Sequence, residues 1–164
     1  MQNSSDIELL CQLLGKSDRT ASARVTSKCL AVAGEHGVLP LIAQRMTEQG
    51  ALAPGHELEG LLIWVNRFSA AAELLLTTTT RTALACLAES GIECLVLKGT
   101  ALAYRFYPEP RLRPRSDVDL WIAPDAARRA AAALEAQGFS LSNLDRRQLT
   151  SRQFKAVTEP VRGY

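Results

Sequence analysis

The sequence predicts an α+β chain: a small mixed sheet flanked by helices, preceded by a helical N-terminal region. Three observations carry that prediction. Apolar residues keep a helical period up to about residue 90. Two short runs after Gly91, residues 92–97 and 117–122, have the composition and alternation of strands. An alanine-rich segment with helical character follows the second run. The division is therefore a helical region over 1–90 and an α/β core over 91–164.

In the first region, residues 6–15 place Ile7, Leu10, Cys11 and Leu14 at helical spacing, with Asp6 as N-cap and Gly15 as stop. Residues 20–34 repeat the form, with Val25, Cys29, Val32 and Ala33 on one face. A third short helix follows Val38 and ends near Gly50, before the turn signal Pro54-Gly55. From His56 to Ser90 there is no proline, and Gly60 is the only glycine. Leu58, Leu61, Leu62, Val65, Phe68, Ala72, Leu75 and Leu76 keep the period, which predicts one long helix, or two with a break near Thr77–Thr80. Each β-branched residue there costs about a few tenths of a kcal/mol against the best helix formers.

The second region opens with a nearly continuous apolar run at 92–97, which predicts a strand covered on both faces. Residues 101–107 read as a short helix closed by Pro108. Pro108, Pro110 and Pro114 then enforce an irregular connector. Val118, Leu120 and Ile122 alternate with Asp117, Asp119 and Trp121, a strand with one apolar and one mixed face. Pro124-Asp125 opens the alanine-rich helix, which Gly138 ends. Residues 139–141 begin a further strand, and the polar remainder reads as a core incomplete at its C-terminal end.

Composition narrows the function classes. Apolar residues form 47% of the chain and charged ones 22%, enough for a real core. A net charge of +2 is too mild for a protein that binds nucleic acid by phosphate neutralisation. The four cysteines show no CxxC spacing and no nearby histidine, which points to reduced, mostly buried thiols in a cytoplasmic protein. The start has no signal-peptide pattern, and no apolar stretch reads as the ~20 residues of a membrane span. His36 and His56 have no nucleophilic or acidic partner in sequence. Trp64 and Trp121 read as packing residues, although Trp121 shares a face with the aspartates.

Chemistry concentrates in residues 94–123. Asp117 and Asp119 are two apart in a predicted strand, so their carboxylates leave one face about 6–7 Å apart. Like charges that close repel unless a cation lies between them, and Mg²⁺ (or Mn²⁺) takes one or two carboxylates with water and phosphate oxygens. Upstream, Lys98-Gly99-Thr100 joins a strand to a helix, where glycine admits a phosphate and the helix N-terminus favours an anion. This is not a P-loop, because the lysine precedes the glycine. Between the two lie Arg105, Arg111, Arg113 and Arg115, followed by Ser116. Arg113 and Arg115 stand nearest the carboxylates and suit a triphosphate.

The run LVLKGTALAYRFYPEPRLRPRSDVDLWI, with the helix and Gln137-Gly138-Phe139 after it, resembles the poorly characterised bacterial branch of the nucleotidyltransferase superfamily. That branch carries a lysine-glycine turn, an arginine and an SDxDL strand in this order. The resemblance implies that Asp117 and Asp119 are the catalytic, metal-binding pair. It also implies that Lys98, Gly99, Thr100, Arg113, Arg115 and Ser116 hold the nucleotide phosphates. The implied activity is Mg²⁺-dependent transfer of an NMP group from an NTP to a hydroxyl of an unidentified acceptor, with release of pyrophosphate. The alternative is a catalytically incomplete nucleotide-binding or protein-interaction module on the same fold. Two departures stand out. The gap between Thr100 and Asp117 is long for the wider superfamily. A third carboxylate on a later strand is not evident, since only Asp145 and Glu159 follow the alanine-rich helix.

Overall fold

The structure is a computed structural model that describes residues 3–15, 24–141 and 154–156. By internal contacts the chain forms two compact units, Met1–Leu75 with Lys98–Asp117, and Leu76–Leu97 with Val118–Tyr164.

The first unit is helical. It holds α1 (Asn3–Gly15), α2 (Ser27–Glu35), α3 (Leu39–Glu48), the first part of α4 (Glu59–Glu89), α5 (Lys98–Phe106) and a 3₁₀ turn at Pro110–Leu112. The predicted α2 face is correct: Val25, Cys29, Val32 and Ala33 are all buried. They close on Leu10, Leu13, Ile42, Met46, Leu62 and Val65. Thr26 caps α2 by accepting the Cys29 amide at 3.3 Å. Asp6 does not cap α1, which begins three residues earlier. It instead accepts the Cys29 thiol at 3.1 Å and pairs with Lys28 at 3.3 Å. The Cys29 bond, with Lys28 beside it, lowers the Asp6 pKa. Gly37 and Gly50 sit at φ +66° and +56°, the left-handed conformation that ends a helix without a Cβ penalty.

Helix α4 is continuous through the threonines. Thr80 donates its hydroxyl to the Leu76 carbonyl at 2.6 Å and Thr82 to the Thr78 carbonyl at 3.1 Å, so these hydroxyls are satisfied within the helix. At 31 residues, with an 18-residue window of mean hydropathy 1.2, α4 is long and apolar enough to cross a membrane by length and composition. This corrects the expectation that no stretch approaches that size. Scattered Arg67, Glu73 and threonines hide the run, while leucine and alanine keep its average high. Within α4, Leu62 and Val65 pack into the first core, and Cys86 and Leu87 into the second. Its outward side shows Trp64 and Phe68 stacked at 5.0 Å.

The second unit carries the strands. β1 (Cys94–Leu97) and β2 (Asp119–Ile122) pair antiparallel, with Leu97 opposite Asp119, Val96 opposite Leu120, Leu95 opposite Trp121 and Cys94 opposite Ile122. A 3₁₀ turn at Pro124–Ala126 leads into α6 (Ala127–Ala136). β3 (Phe139–Leu141) then pairs antiparallel with β4 (Phe154–Ala156). β4 went unforeseen in sequence. The core joins Ala83, Cys86 and Leu87 of α4 to Ile92, Ala126, Ala130 and Leu134, with Cys94, Leu120 and Ile122 against it. Burial there raises the Cys94 pKa. All four cysteines are free thiols; Cys29 and Cys86 are buried, whereas Cys11 is exposed.

Two strand expectations need correction. β1 is covered on one face only: Leu95 is 58% exposed and Leu97 38%, because the second row of apolar side chains meets no packed layer among the described residues. β2 starts at Asp119, so Asp117 precedes the ladder rather than belonging to it. The packing contrast is measurable. Leu87→Ala, at a position with no exposure, should cost about 2–5 kcal/mol in chemical denaturation, whereas Leu95→Ala should stay within about 0.5 kcal/mol.

Candidate active site

The lysine-glycine-threonine segment is the first turn of α5 rather than a loop before it, since the helix starts at Lys98. Lys98 has φ +47°, the one positive φ at a non-glycine residue among those described. For a side chain with a Cβ, that left-handed backbone costs about 1–2 kcal/mol. At Gly99 an added Cβ would meet only Arg115 carbons at 3.7 and 3.9 Å, ordinary contact. Packing of the protein alone therefore does not require a glycine here. Thr100 is 4% exposed, and its hydroxyl accepts from Arg115 Nε at 3.2 Å and lies 3.5 Å from the Asp117 carbonyl.

Arg115 is the hub of the first unit. Its guanidinium makes a two-pronged pair with Glu73 of α4, Nη1 to Oε2 and Nη2 to Oε1, both at 2.8 Å. Nη1 also donates to the Pro110 carbonyl at 3.0 Å, and the guanidinium lies 5.6 Å from the Tyr104 ring centre. Tyr104 in turn donates its hydroxyl to Glu73 at 3.1 Å. With the Arg115 side chain 5% exposed, this planar fork satisfies a buried charge and ties α4, α5 and the connector together. Glu73 and Tyr104 were not singled out in sequence. Glu73 stands 42 residues from Arg115, and only the ion pair reveals its role.

The other arginines differ. Arg111 is spent on Glu109, Gln44 and Asn66. The hydrogen bonds from Arg111 and Gln44 hold the Glu109 carboxyl below its ordinary pKa. These residues border a small open pocket of about 240 Å³ lined by Gln44, Thr47, Glu48, Asn66 and Arg111. Arg113 lies over the Tyr107 ring at 5.7 Å and donates from Nη1 to its hydroxyl at 3.4 Å. Its Nε is buried without a hydrogen-bond partner among the described residues. A buried guanidinium N–H left unspent is a donor suited to an added anion. Arg105 and Ser116 are exposed.

Asp117, at the end of the first unit, is exposed, and Asp119, in β2 of the second, is half-buried. Among the described residues no group of three or more His, Cys, Asp or Glu side chains could hold a metal. Asp145 and Glu159 lie outside the described residues.

The hub makes a specific demand on stability. Glu73→Gln should destabilise the protein by about 3 kcal/mol in urea denaturation, because it leaves the Arg115 charge buried without its counter-charge. A double-mutant cycle with Arg115→Gln should return a coupling of about 1–3 kcal/mol, and a coupling near zero would show the pair to be incidental.

No curated protein and no solved structure matches the chain at a significant level. A family model described as "uncharacterised nucleotidyltransferase" matches residues 23–159, which include α2 through β3 and every candidate site residue. The chain therefore belongs to this uncharacterised nucleotidyltransferase family.

Proposed function

We propose that the protein transfers a nucleoside monophosphate group from an NTP to an acceptor hydroxyl, with Mg²⁺ held by Asp117 and Asp119. The observation that carries this reading is the order of parts along one short stretch of chain. β1 delivers the chain at Leu97, opposite Asp119, straight into Lys98-Gly99-Thr100. A helix N-terminus that suits phosphate thus follows the very residue that pairs with a candidate metal ligand.

The donors present fit the ion. Two carboxylates at alternate positions, one exposed and one half-buried, supply hard oxygen ligands in the number Mg²⁺ takes from protein when phosphate and water complete its shell. Bound there, the ion would neutralise the charge that builds on the phosphate oxygens. Lys98 and the first amides of α5 hold the β- and γ-phosphates, and Gly99 lets them approach the backbone. Arg113, with its unspent Nε, adds a guanidinium contact. Arg115 positions the turn through Thr100 rather than reaching the nucleotide itself, and Ser116 offers a hydroxyl beside Asp117. The acceptor oxygen attacks the α-phosphorus and the bridging bond to the β-phosphate breaks. Pyrophosphate leaves with that electron pair, and the hydroxyl proton passes to solvent. Catalysis rests on positioning and charge neutralisation.

Calorimetry with ATP, CTP, GTP and UTP tests the reading. At least one should bind only with Mg²⁺. Asp117→Asn and Asp119→Asn should each weaken that binding about tenfold or more, a loss of about 1.4 kcal/mol. Gly99→Ala should leave the fold as stable or slightly firmer, since alanine is favoured over glycine inside a helix by about 0.5–1 kcal/mol, yet it should weaken the nucleotide. Tight binding that ignores both the metal and the aspartates would support the catalytically incomplete module instead.

A further inference from the structure

Within the first unit, α4 has two sides of different character. Leu62 and Val65 belong to the buried core, and Glu73 is tied to Arg115. A second row, Leu61, Trp64, Phe68, Ala71 and Leu75, recurs at alternate spacings of three and four, and every member is exposed. Trp64 is 57% exposed, Phe68 58% and Leu75 58%. That spacing repeats every seven residues and draws an apolar seam along one side of the helix, the pattern by which one helix packs on another. No charged side chain stands in the row, and Arg67 is the one basic residue between Glu59 and Leu75. Two large aromatic rings and two leucines open to water serve no purpose in the chain's own core.

We propose that this row is a self-association seam, on which the same row of a second copy of the chain packs antiparallel. The inference goes beyond the nucleotide reading and does not depend on it. Size, volume and charge all favour this occupant. The open part of the row amounts to on the order of 500 Å² per chain, so a face-to-face pair buries about 1,000 Å². That is the floor of a specific interface and far below an obligate dimer, so the pair forms and separates reversibly. In an antiparallel pair of heptad helices the two kinds of seam position meet each other, so Phe68 faces Ala71 and Trp64 faces Leu75 of the second copy. Each layer is then filled by unequal partners. A parallel pair would stack Phe68 on Phe68 and Ala71 on Ala71, crowding one layer and emptying the next. In the antiparallel register the bordering Arg67 lies beside Leu74 of the second copy, and no like charges meet. A membrane surface is the other apolar environment open to a helix of this hydropathy. Helices that lie on membranes carry several Lys or Arg beside the apolar face, and a helix that crosses one would take Arg67 and Glu73 into lipid.

Sedimentation equilibrium of the full chain, from about 1 to 500 µM, tests the seam. It should show a reversible equilibrium between monomer and dimer. Phe68→Ser, Trp64→Glu and Leu75→Lys should each weaken the dimer at least about tenfold, a loss of about 1.4 kcal/mol. Trp64→Glu and Leu75→Lys combined in one chain should dimerise several-fold more tightly than either alone. Two-fold symmetry then sets glutamate against lysine at both ends of the pair, whereas a parallel pair would set like charges together. A chain that stays monomeric throughout overturns the proposal, as does a dimer indifferent to Phe68→Ser. A combined variant no tighter than the single ones overturns the antiparallel arrangement. Flotation with phosphatidylcholine and phosphatidylserine vesicles completes the test. A monomeric chain that floats with them, and loses that binding in Phe68→Ser, assigns the row to lipid and overturns the proposal as well. All three positions are exposed, so circular dichroism of each variant should match that of the parent chain.

Discussion

A buried guanidinium cannot be left without partners, and Arg115 organises the helical unit on that constraint. Two Glu73 oxygens, the Thr100 hydroxyl and the Pro110 carbonyl meet its donors, and the guanidinium lies over the Tyr104 ring. Each partner comes from a different stretch: the middle of α4, the first turn of α5 and the proline-rich connector. Removing Glu73 strands that charge away from water, at a cost well above that of a surface pair. The first turn of α5 is thereby held in place through the Thr100 hydroxyl. Beside it Lys98 holds a left-handed backbone, and the Arg113 Nε is buried without a hydrogen-bond partner among the described residues.

The strand unit obeys a different constraint, the register of β1 against β2. Setting Leu97 opposite Asp119 gives the sheet an inner face of Cys94, Leu120 and Ile122 and an outer face that mixes a carboxylate with Trp121 and two leucines. A one-residue slip would bury Asp119 in the core and expose Leu120, so the hydrophobic pattern itself specifies the register. Core packing and the presentation of Asp119 are thus one choice.

Much of this was legible in the sequence. Apolar periodicity located the buried face of α2 and, in the long helix, Leu62 and Val65, but it also counted Leu61, Phe68 and Leu75, which are exposed, and missed Cys86 and Leu87; Gly37, Gly50, Gly91 and Gly138 all occupy the positive φ that their turn positions suggest. Family membership was readable because the run that carries the resemblance is local, and the family model matches across it. What escaped was long-range or depended on exposure. Nothing near Arg115 announces Glu73. A continuous apolar run looks the same whether one face or both are covered, so the open side of β1 could not be read. The threonines argued for a break in α4 by propensity, but the helix runs on, with the Thr80 and Thr82 hydroxyls on i−4 carbonyls. β4, Phe154–Ala156, is three residues inside a polar stretch, too short for its alternation to stand out.

The central claim is that Asp117 and Asp119 together hold the metal that engages the nucleotide. Its most direct test is anomalous diffraction from crystals grown with Mn²⁺ and a non-hydrolysable ATP analogue. The account predicts a manganese peak within coordination distance of both carboxylates and of a phosphate oxygen, with the outer phosphates at Lys98 and Gly99. A bound nucleotide whose metal touches neither aspartate would contradict it.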